Sequence, residues 1–194
     1  MIDLKGVRVG FVMTGSFCTF AEAFTAAEAL RQAGASLLPV MSEHAAGTDT
    51  RFGSALSHIQ RLEAICEKPV IRSIPEAEPI GPKHMTDILV VAPCTGNTLA
   101  KLAASITDTT ATMAVKSHLR TGNPVVLAVA TNDALAGSAK NIGQLLNLKH
   151  YRFVPFGQDQ PTGKPTSLIA DFTKIPQTLA DALDGKQQQP ILLS

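Results

Sequence analysis

Aromatic residues and charges are both scarce in this sequence. Its 194 residues include no Trp and one Tyr, only 5% are aromatic, 17% are charged, and the formal net charge is +1. Proteins that bind nucleic acid usually combine a basic surface with aromatic side chains on which bases stack. The composition therefore argues against a nucleic-acid partner, and the low net charge gives no attraction to an anionic membrane.

Cysteine is also rare, and its spacing matches no known framework. Cys18, Cys66 and Cys94 are odd in number and lie far apart, without a CxxC pair. Neither a disulfide framework nor a zinc site has this pattern, so we expect no metal. The N-terminus lacks the long apolar segment of a signal peptide, and no apolar run reaches the ~20 residues that span a bilayer. We therefore expect a cytoplasmic protein without a membrane contact.

Several common ligand-binding and catalytic motifs are missing as well. The sequence has no GxGxxG after its first apolar run and no GxxxxGKS/T, which argues against an NAD(P)-binding Rossmann domain and against a P-loop in this chain. It also lacks GxSxG and HExxH, the motifs of many hydrolases.

Short apolar runs alternate with amphipathic segments along the chain. The run Ile88–Ala92 is rich in β-branched residues and has no polar alternation, as in a parallel strand covered on both faces. Strands and helices in this order predict a doubly wound parallel sheet. The expected fold is one three-layer α/β/α domain over residues 1–184, followed by a poorly ordered tail, residues 185–194. The predicted strands are 7–14, 35–41, 88–92, 123–129 and 151–155, and the predicted helices are 19–33, 50–66, one ending near 122, one ending near 146, and 175–183.

Local signals set the predicted ends of these elements. Thr19 followed by Glu22 has the spacing of a capping box, and Gly34 is expected to end that helix. Pro93 has no N–H to donate and is expected to end the central strand. Four prolines between residues 67 and 82 predict an extended, irregular crossover.

Loops follow the predicted strands at their carboxyl ends, which a parallel sheet gathers on one edge. The informative ones are residues 14–18, 42–44, 93–98 and 130–133. Open α/β sheets bind ligands at this edge, and helices that begin there offer unpaired N–H groups to a phosphate or carboxylate. Hydroxyls in these loops are candidate further donors, and they are equally typical of helix caps. They belong to Thr14, Ser16, Ser42 and Thr95.

Other candidate residues carry weaker signals. Arg51 and Lys164, the latter in a Gly- and Pro-rich loop, are candidate ligands for substrate carboxylates, although solvated surface charge is the commoner role. His44 and His58 are more typical of structural or surface histidines than of a proton shuttle. Cys94 has no base at a spacing that would activate it, which favours a buried, inert thiol.

Three segments carry a pattern that is known from one family. They are Thr14-Gly15-Ser16, then Met41-Ser42 with Ala45, and then the run from Asp87 through Pro93-Cys94-Thr95-Gly96-Asn97-Thr98 to Lys101, closed by Asp108. These residues resemble the homo-oligomeric flavin-containing cysteine decarboxylase family, and the likeness spans roughly the first 150 residues. Asp108 is expected to cap or orient the backbone of the loop that follows.

The resemblance implies a flavodoxin-like sheet that binds FMN, with the phosphate near Gly15, Ser16 and Ser42. It also implies that Asn97 faces the isoalloxazine or the substrate, which makes Asn97 the candidate catalytic residue. A homo-oligomer built on trimers, with the flavin at a subunit interface, is expected. The candidate cofactor-binding residues are Thr14, Gly15, Ser16, Ser42, Pro93, Thr95, Asn97, Thr98, Ala130 and Asn132.

The sequence departs from this family in one functional segment. Where the decarboxylases have Pro-Ala-Met-Asn, this chain has Val129-Ala130-Thr131-Asn132, so only Ala130 and Asn132 match. The active-site His of the family has no evident counterpart here. These differences weigh against decarboxylation.

A narrower likeness within the family lies in Met13–Phe20 and Phe153–Asp159. It implies a subunit that acts with a separate NADP-binding subunit in the mother cell of a sporulating bacterium. Together they would oxidise a dihydro-dicarboxylate of the lysine pathway to pyridine-2,6-dicarboxylate. Two alternatives stay open: an independent FMN-dependent decarboxylase, and a non-catalytic subunit that retains the flavoprotein fold.

Overall fold

Short strands, most of them without a polar face, form the centre of the fold. Within residues 2–193, which this computed structural model describes, there are seven strands: β1 (Arg8–Met13), β2 (Ser36–Met41), β3 (Ile88–Cys94), β4 (Val125–Thr131), β5 (Tyr151–Phe153), β6 (Phe156–Gly157) and β7 (Leu168–Ala170). Every residue of β3 is buried, as are all but the first of β1 and all but the last of β4. Strands of this kind need helices on both sides.

The sheet confirms the predicted α/β fold and adds an antiparallel part. Its parallel strands lie in the order β2-β1-β3-β4-β5. The antiparallel strand β7 pairs with the end of β4, where Ala130 lies opposite Ile169, and β6 pairs with β7. Sequence patterns missed β6 and β7 because strands of two or three residues among turn formers give no periodic signal.

Helices cover both faces of the sheet. They are α1 (Phe20–Gln32), α2 (Glu43–Gly47), α3 (Ala55–Cys66), α4 (Ile74–Ala77), α5 (Gly96–Ala103), α6 (Thr110–Leu119), α7 (Ala139–Leu146) and α8 (Ile175–Leu183). Helix α1 packs against α3 and α8, whereas α6 packs against α4 and α5, and α5 against α7. This gives the expected three layers.

Helix α1 begins differently from the prediction. A 3-10 turn, Phe17–Thr19, precedes it, and the Thr19 hydroxyl donates to the carbonyl of Ser16 at 2.9 Å instead of capping the helix. The capping-box prediction for Thr19 and Glu22 is therefore wrong, because the extra turn already uses the hydroxyl. The helix ends as predicted, with Gly34 at φ +92° two positions after its last residue, Gln32.

Pro93 interrupts the central strand without ending it. Strand β3 continues to Cys94, which pairs with Val129, and the register shifts between Val91 and Cys94. The missing N–H removes one hydrogen bond of the ladder, but the Pro93 carbonyl still accepts from the N–H of Thr14 at 3.3 Å. The predicted end of this strand is therefore too early.

Two segments that were expected to be irregular contain short helices. In the crossover, Ser73 and Glu76 form a capping box for α4, and Pro75 lies in the first turn, where no N–H is needed. In the loop after β2, the Ser42 side chain accepts from the N–H of Ala45 at 3.3 Å and starts α2. Helices of four or five residues are too short to produce a helical sequence period.

The segment after Gly185 makes defined contacts, in contrast to the poorly ordered tail that its composition predicts. The Gln187 side chain accepts from the N–H of Phe153 at 2.8 Å and donates to its carbonyl at 2.6 Å. Farther on, the N–H of Leu193 donates to the carbonyl of Phe156 at 2.9 Å. Residues 1 and 194, which the predicted boundaries include, lie outside the described residues.

Candidate functional site

The chain changes its direction across the sheet between β1 and β3. After β1 it moves outward to β2, and after β3 it moves the opposite way to β4. In a doubly wound sheet, the loops that leave such a point diverge and form a crevice at the carboxyl edge, which is where ligands bind. Residues 14–18 and 95–98 border this crevice.

Thr14 joins these two loops at the back of the crevice. Its hydroxyl donates to the carbonyl of Pro93 at 2.7 Å and accepts from the N–H of Thr95 at 3.2 Å. The residue is only 1% exposed. Thr14 and Pro93 were both predicted to bind the cofactor. In the structure, the Thr14 hydroxyl and the Pro93 carbonyl form hydrogen bonds within the protein that hold the two loops in position.

Asn97 lies in the first turn of α5, at the centre of the crevice. Thr95 caps this helix, because its Oγ1 accepts from the N–H of Thr98 at 3.2 Å. Asn97 is exposed, and its amide has no hydrogen-bond partner within residues 2–193. It lines two cavities, one on each side. A side chain that can both donate and accept is therefore available to a ligand.

On the β4 side of Asn97 lies a cavity of about 410 Å³, which we call the Lys164 cavity. This volume is within the range of small-molecule sites. The Lys164 Nζ lies 3.4 Å from Oδ2 of Asp159. The side chain of Ser167, and then the neighbouring Lys164, lower the pKa of the Asp159 carboxyl. The cavity therefore contains a cation whose charge is shared with a carboxylate.

Asp133 is a residue of the Lys164 cavity that the sequence analysis missed as a site residue. Its carboxylate accepts from the hydroxyl of Thr131 at 2.6 Å and from that of Ser138 at 3.0 Å. Gly96 packs directly against this group, since a Cβ there would lie 2.7 Å from Asp133 Oδ1. One sequence signal could have identified Asp133: it lies two residues after β4, at the edge of the sheet where ligands bind.

A loop after β6 closes the Lys164 cavity. The Thr166 hydroxyl donates to the Asn132 carbonyl at 2.6 Å, and the Ser167 hydroxyl donates to the Asn132 side-chain oxygen at 3.4 Å. Gln158 donates to the carbonyl of Pro165 at 2.8 Å across the base of the loop. The Asn132 amide therefore has its NH₂ group left to offer to a ligand.

On the β2 side of Asn97 lies a second cavity of about 500 Å³, which we call the Ser42 cavity. The Ser42 oxygen accepts from the backbone of α2, and its proton remains free to donate. Glu43 accepts from the N–H and the hydroxyl of Thr110 at 2.9 and 2.8 Å. Lys101 pairs with Asp108 at 2.7 Å, so Asp108 holds a cation and is not the backbone cap that we expected.

The predicted site residues thus fall into four groups. Gly15, Thr95 and Asn97 line both cavities, and Ser16 lines the Lys164 cavity. Ser42 and Thr98 line only the Ser42 cavity, and Ala130 and Asn132 line only the Lys164 cavity. Thr14 lines the Ser42 cavity from behind, and Pro93 lines neither. A ligand role for each of them stays a prediction.

The buried positions of Cys94 and His58 agree with structural roles. Cys94 is fully buried, and burial raises the pKa of its thiol, as expected for an inert group. His58 is buried against Phe20 and Phe24. His44 lines the Ser42 cavity.

Residues 2–193 contain neither a cluster of metal ligands nor a helix that could span a membrane. No group of three or more His, Cys, Asp or Glu side chains in this part of the chain is arranged to hold a metal ion. No helix within it combines the length and apolarity needed to cross a bilayer.

Comparison with known proteins adds to this geometry. The sequence profile described as Flavoprotein matches residues 2–181. The chain belongs to the Flavoprotein family. Another protein, the dipicolinate synthase B subunit of Bacillus subtilis (strain 168), is 43% identical to this chain over 193 residues, which cover 100% of this chain and 96% of that protein. The resemblance found in the sequence is thereby confirmed.

Solved structures share the fold of this Flavoprotein family member. The dipicolinate synthase B subunit from Bacillus halodurans C has a TM-score of 0.91 and 42% identity, over 99% of this chain and 98% of that chain. The FMN-dependent cysteine decarboxylase SpaF has a TM-score of 0.67 and 24% identity, over 92% of this chain and 98% of that chain. The second likeness shows the fold alone. The predicted flavodoxin-like fold is confirmed.

Proposed function

We propose that this chain is the B subunit of a dipicolinate synthase. In this proposal it acts with an NADP-binding A subunit and oxidises a dihydrodipicolinate-type intermediate of the lysine pathway to pyridine-2,6-dicarboxylate. The observation that carries the proposal is the 43% identity to the B subunit of a known dipicolinate synthase, which extends over 100% of this chain. The unpaired Asn97 amide between two cavities supports a ligand-binding role for the same chain.

The reaction sets clear demands on the site. Aromatisation of a dihydropyridine ring removes one hydride, which passes to an oxidised cofactor, and one proton, which passes to a base. Both carboxylates of the substrate remain in the product. The site therefore needs donors or cations for two carboxylates, a proton acceptor, and a way to hold the ring in one orientation.

Residues of the Lys164 cavity meet part of these demands. Lys164 binds a substrate carboxylate, and the Asn97 amide donates to the same ligand. Asp133 is the carboxylate that accepts the ring proton. Its hydrogen bonds from Thr131 and Ser138 orient it, and Gly96 leaves space for it next to the start of α5.

FMN fits the donors of the Ser42 cavity. Its phosphate requires N–H and O–H groups, which Gly15, Ser42 and the start of α5 supply at the switch point where flavodoxin-like sheets bind FMN, with Ser16 next to them at the Lys164 cavity. The volume of about 500 Å³ is within the range of cofactor sites. When bound, FMN supplies a two-electron acceptor. Asn97, which lines both cavities, would touch both cofactor and substrate.

A partner subunit and self-association complete the proposal. The partner is a separate A subunit that carries NADP, and the chain itself forms a homo-oligomer built on trimers. Exposed apolar side chains support further contacts, among them Leu56 (62% exposed), Leu135 (51%) and Ile106 (47%). The proposed setting is the cytoplasm of the mother cell in a sporulating bacterium.

Reconstitution tests this function. The purified chain is combined with the A subunit, NADP and the lysine-pathway substrate, with and without FMN, and ultraviolet absorbance follows formation of the aromatic product. We expect product only when both subunits are present. Equal product formation by the A subunit alone would contradict the assignment.

A visible absorption spectrum tests the cofactor separately. We expect the chain to take up FMN added at tens of micromolar, with a shifted flavin band. A spectrum identical to that of free FMN would remove the flavin from the proposal while leaving the two-subunit reaction testable. Release of CO₂ from a cysteine-terminated peptide by the chain and FMN alone would instead favour the independent decarboxylase.

A further inference from the structure

A cavity of about 430 Å³ lies apart from the crevice, between the end of α5, the second half of α6 and the start of β5. We call it the Tyr151 cavity. It shares no lining residue with the Lys164 cavity or with the Ser42 cavity, as far as residues 2–193 are concerned. Its volume is within the range of small-molecule sites. A ligand in it would be separate from the ligands of the crevice.

Part of the lining of the Tyr151 cavity is apolar. Leu102 near the end of α5 is 7% exposed, and Leu119 at the end of α6 is half-buried. Beyond Leu102 the chain turns at Ser105, which has φ +58° and donates its N–H to the Leu102 carbonyl at 3.2 Å. Ser105 also lines the cavity. The lining therefore combines apolar surface with hydroxyl groups, as small-molecule sites do.

Tyr151 adds a phenol whose position is fixed by the sheet. The residue is 7% exposed, and in β5 it pairs with Val125 of β4. Its hydroxyl has no hydrogen-bond partner within residues 2–193, yet its oxygen is not fully buried. The opening that Tyr151 lines is this cavity, so the hydroxyl is accessible from there.

The Tyr151 hydroxyl keeps its proton at neutral pH. Burial raises the pKa of this phenol to about 12. A protonated phenol donates a hydrogen bond, and it donates most strongly to a charged acceptor.

Two cations of α6 line the same cavity. Lys116 and Arg120 lie one helical turn apart, and no ion pair within residues 2–193 includes either of them. No Asp or Glu of this part of the chain lines the cavity. The helix dipole favours cations near the end of α6, but it does not account for an accessible phenol hydroxyl at the same place. The cavity therefore offers donors of positive charge and no acidic group, which suits an anion.

We propose that the Tyr151 cavity binds a small organic carboxylate. Lys116 and Arg120 bind the carboxylate group, the Tyr151 hydroxyl donates to it, and the apolar body of the ligand packs on Leu102 and Leu119. An inorganic anion would use the cations and leave the apolar lining without a contact. This inference goes beyond the proposed function, because it involves neither the A subunit nor the crevice.

Tyrosine fluorescence tests the inference, because Tyr151 is the only Tyr of the chain and the chain has no Trp. The purified full chain is titrated with cyclohexanecarboxylate. Two further probes are cyclohexanecarboxamide, which keeps the apolar body without the charge, and inorganic phosphate, which has charge without that body. None of the three absorbs where tyrosine is excited, so a change in emission reports on the surroundings of Tyr151.

Lys116→Gln and Arg120→Gln are the test variants. The matched control is Lys140→Gln, which removes an exposed lysine of α7 that lines none of the three named cavities. We expect a saturable change with cyclohexanecarboxylate in the wild type and in Lys140→Gln, and binding that is about 10-fold weaker in each test variant. The amide and phosphate should bind the wild type about 10-fold more weakly than the carboxylate, or less tightly still.

The role of the phenol is measured by calorimetric titration, because Tyr151→Phe removes the fluorescence signal. We expect this variant to bind cyclohexanecarboxylate about 3- to 10-fold more weakly, as for the loss of one hydrogen bond. Urea unfolding midpoints equal to that of the wild type show that each variant keeps the fold.

Three results would overturn the proposal. The first is a wild-type emission that does not change in a saturable way up to millimolar cyclohexanecarboxylate. The second is the same loss of affinity in Lys140→Gln as in Lys116→Gln and Arg120→Gln, which would indicate a general effect of charge. The third is phosphate or the amide binding as tightly as the carboxylate. Each of these results leaves the proposed function intact, since product formation by the two subunits is measured separately.

Discussion

The hydroxyl of Thr14 accepts a hydrogen bond from the backbone N–H of Thr95 at 3.2 Å, and this bond joins the loop after β1 to the loop after β3. The same hydroxyl donates to the carbonyl of Pro93 at 2.7 Å. Because Thr14 is only 1% exposed, water has no access to replace either bond. The crevice therefore has a fixed back wall, with Ser16 on one side and Asn97 on the other.

Substitution Thr14→Val tests this wall. Valine keeps the shape of the side chain but leaves the N–H of Thr95 without its partner, and the Pro93 carbonyl retains only the N–H of residue 14, so we expect the free energy of unfolding to fall by about 1–3 kcal/mol. Urea unfolding measures it. The control is Thr25→Val, which removes a hydroxyl from the exposed face of α1 and should change stability by less than about 0.5 kcal/mol. Equal effects of both substitutions would show that the bonds of Thr14 have no special role.

Gly96→Ala tests the contact that holds Asp133. A Cβ at Gly96 would lie 2.7 Å from oxygens of Asp133 and Thr131, so the start of α5 and the loop after β4 must separate. We expect a loss of about 1–3 kcal/mol in stability together with weaker substrate binding, measured by urea unfolding and titration.

The matched control for Gly96→Ala is Gly143→Ala in α7, where a Cβ would meet no atom within 4 Å. Alanine in a helix interior should stabilise the chain by about 0.5–1 kcal/mol at that position. If both alanines raise stability, the close approach to Asp133 has no energetic consequence.

The sequence was most informative where periodicity and glycine signals agree over long elements. The buried run Ile88–Ala92 predicted a central strand, and Gly34 marked the end of α1 as observed. The last helix was also predicted, since α8 spans Ile175–Leu183. These elements form because they bury apolar side chains, and this burial produces a recognisable pattern of apolar residues in the sequence.

The site was harder to predict because its contacts are tertiary. Thr14 and Ser42 are both hydroxyl residues at strand ends, yet Thr14 is used to join loops while Ser42 caps a short helix and lines a cavity. The position of Asp133 in the site also depends on Gly96, which lies 37 positions earlier in the chain. No local rule distinguishes these cases, since each depends on which loops the sheet brings together.

Two buried histidines predict how stability depends on pH. Burial, and then the charge of Arg61, lower the pKa of His58 from its ordinary 6.5. Burial likewise lowers the pKa of His118, although the Pro124 carbonyl and Asp87 act in the opposite sense. Below pH 6.5 the unfolded chain therefore binds more protons than the folded one, and folding becomes less favourable.

We expect the free energy of unfolding to fall as the pH decreases from 6.5 towards about 5, above the range where ordinary carboxylates titrate. Urea unfolding at several pH values measures the slope. His58→Phe should reduce the slope, and it removes a buried nitrogen, Nε2, that has no partner in the described residues. A wild-type free energy of unfolding that does not change between pH 6.5 and about 5 would contradict this prediction.

The most direct test of the central claim measures pyridine-2,6-dicarboxylate formation by the two-subunit complex that contains Asn97→Ala. Asn97 is exposed between the two cavities, so its loss should leave the fold and A-subunit affinity intact while it removes a donor to the reacting ligand. We predict that kcat/KM falls by about 100-fold or more, the effect of removing a preorganised donor. A complex that contains Asn97→Ala and forms product at the wild-type rate would contradict the assignment of the catalytic site.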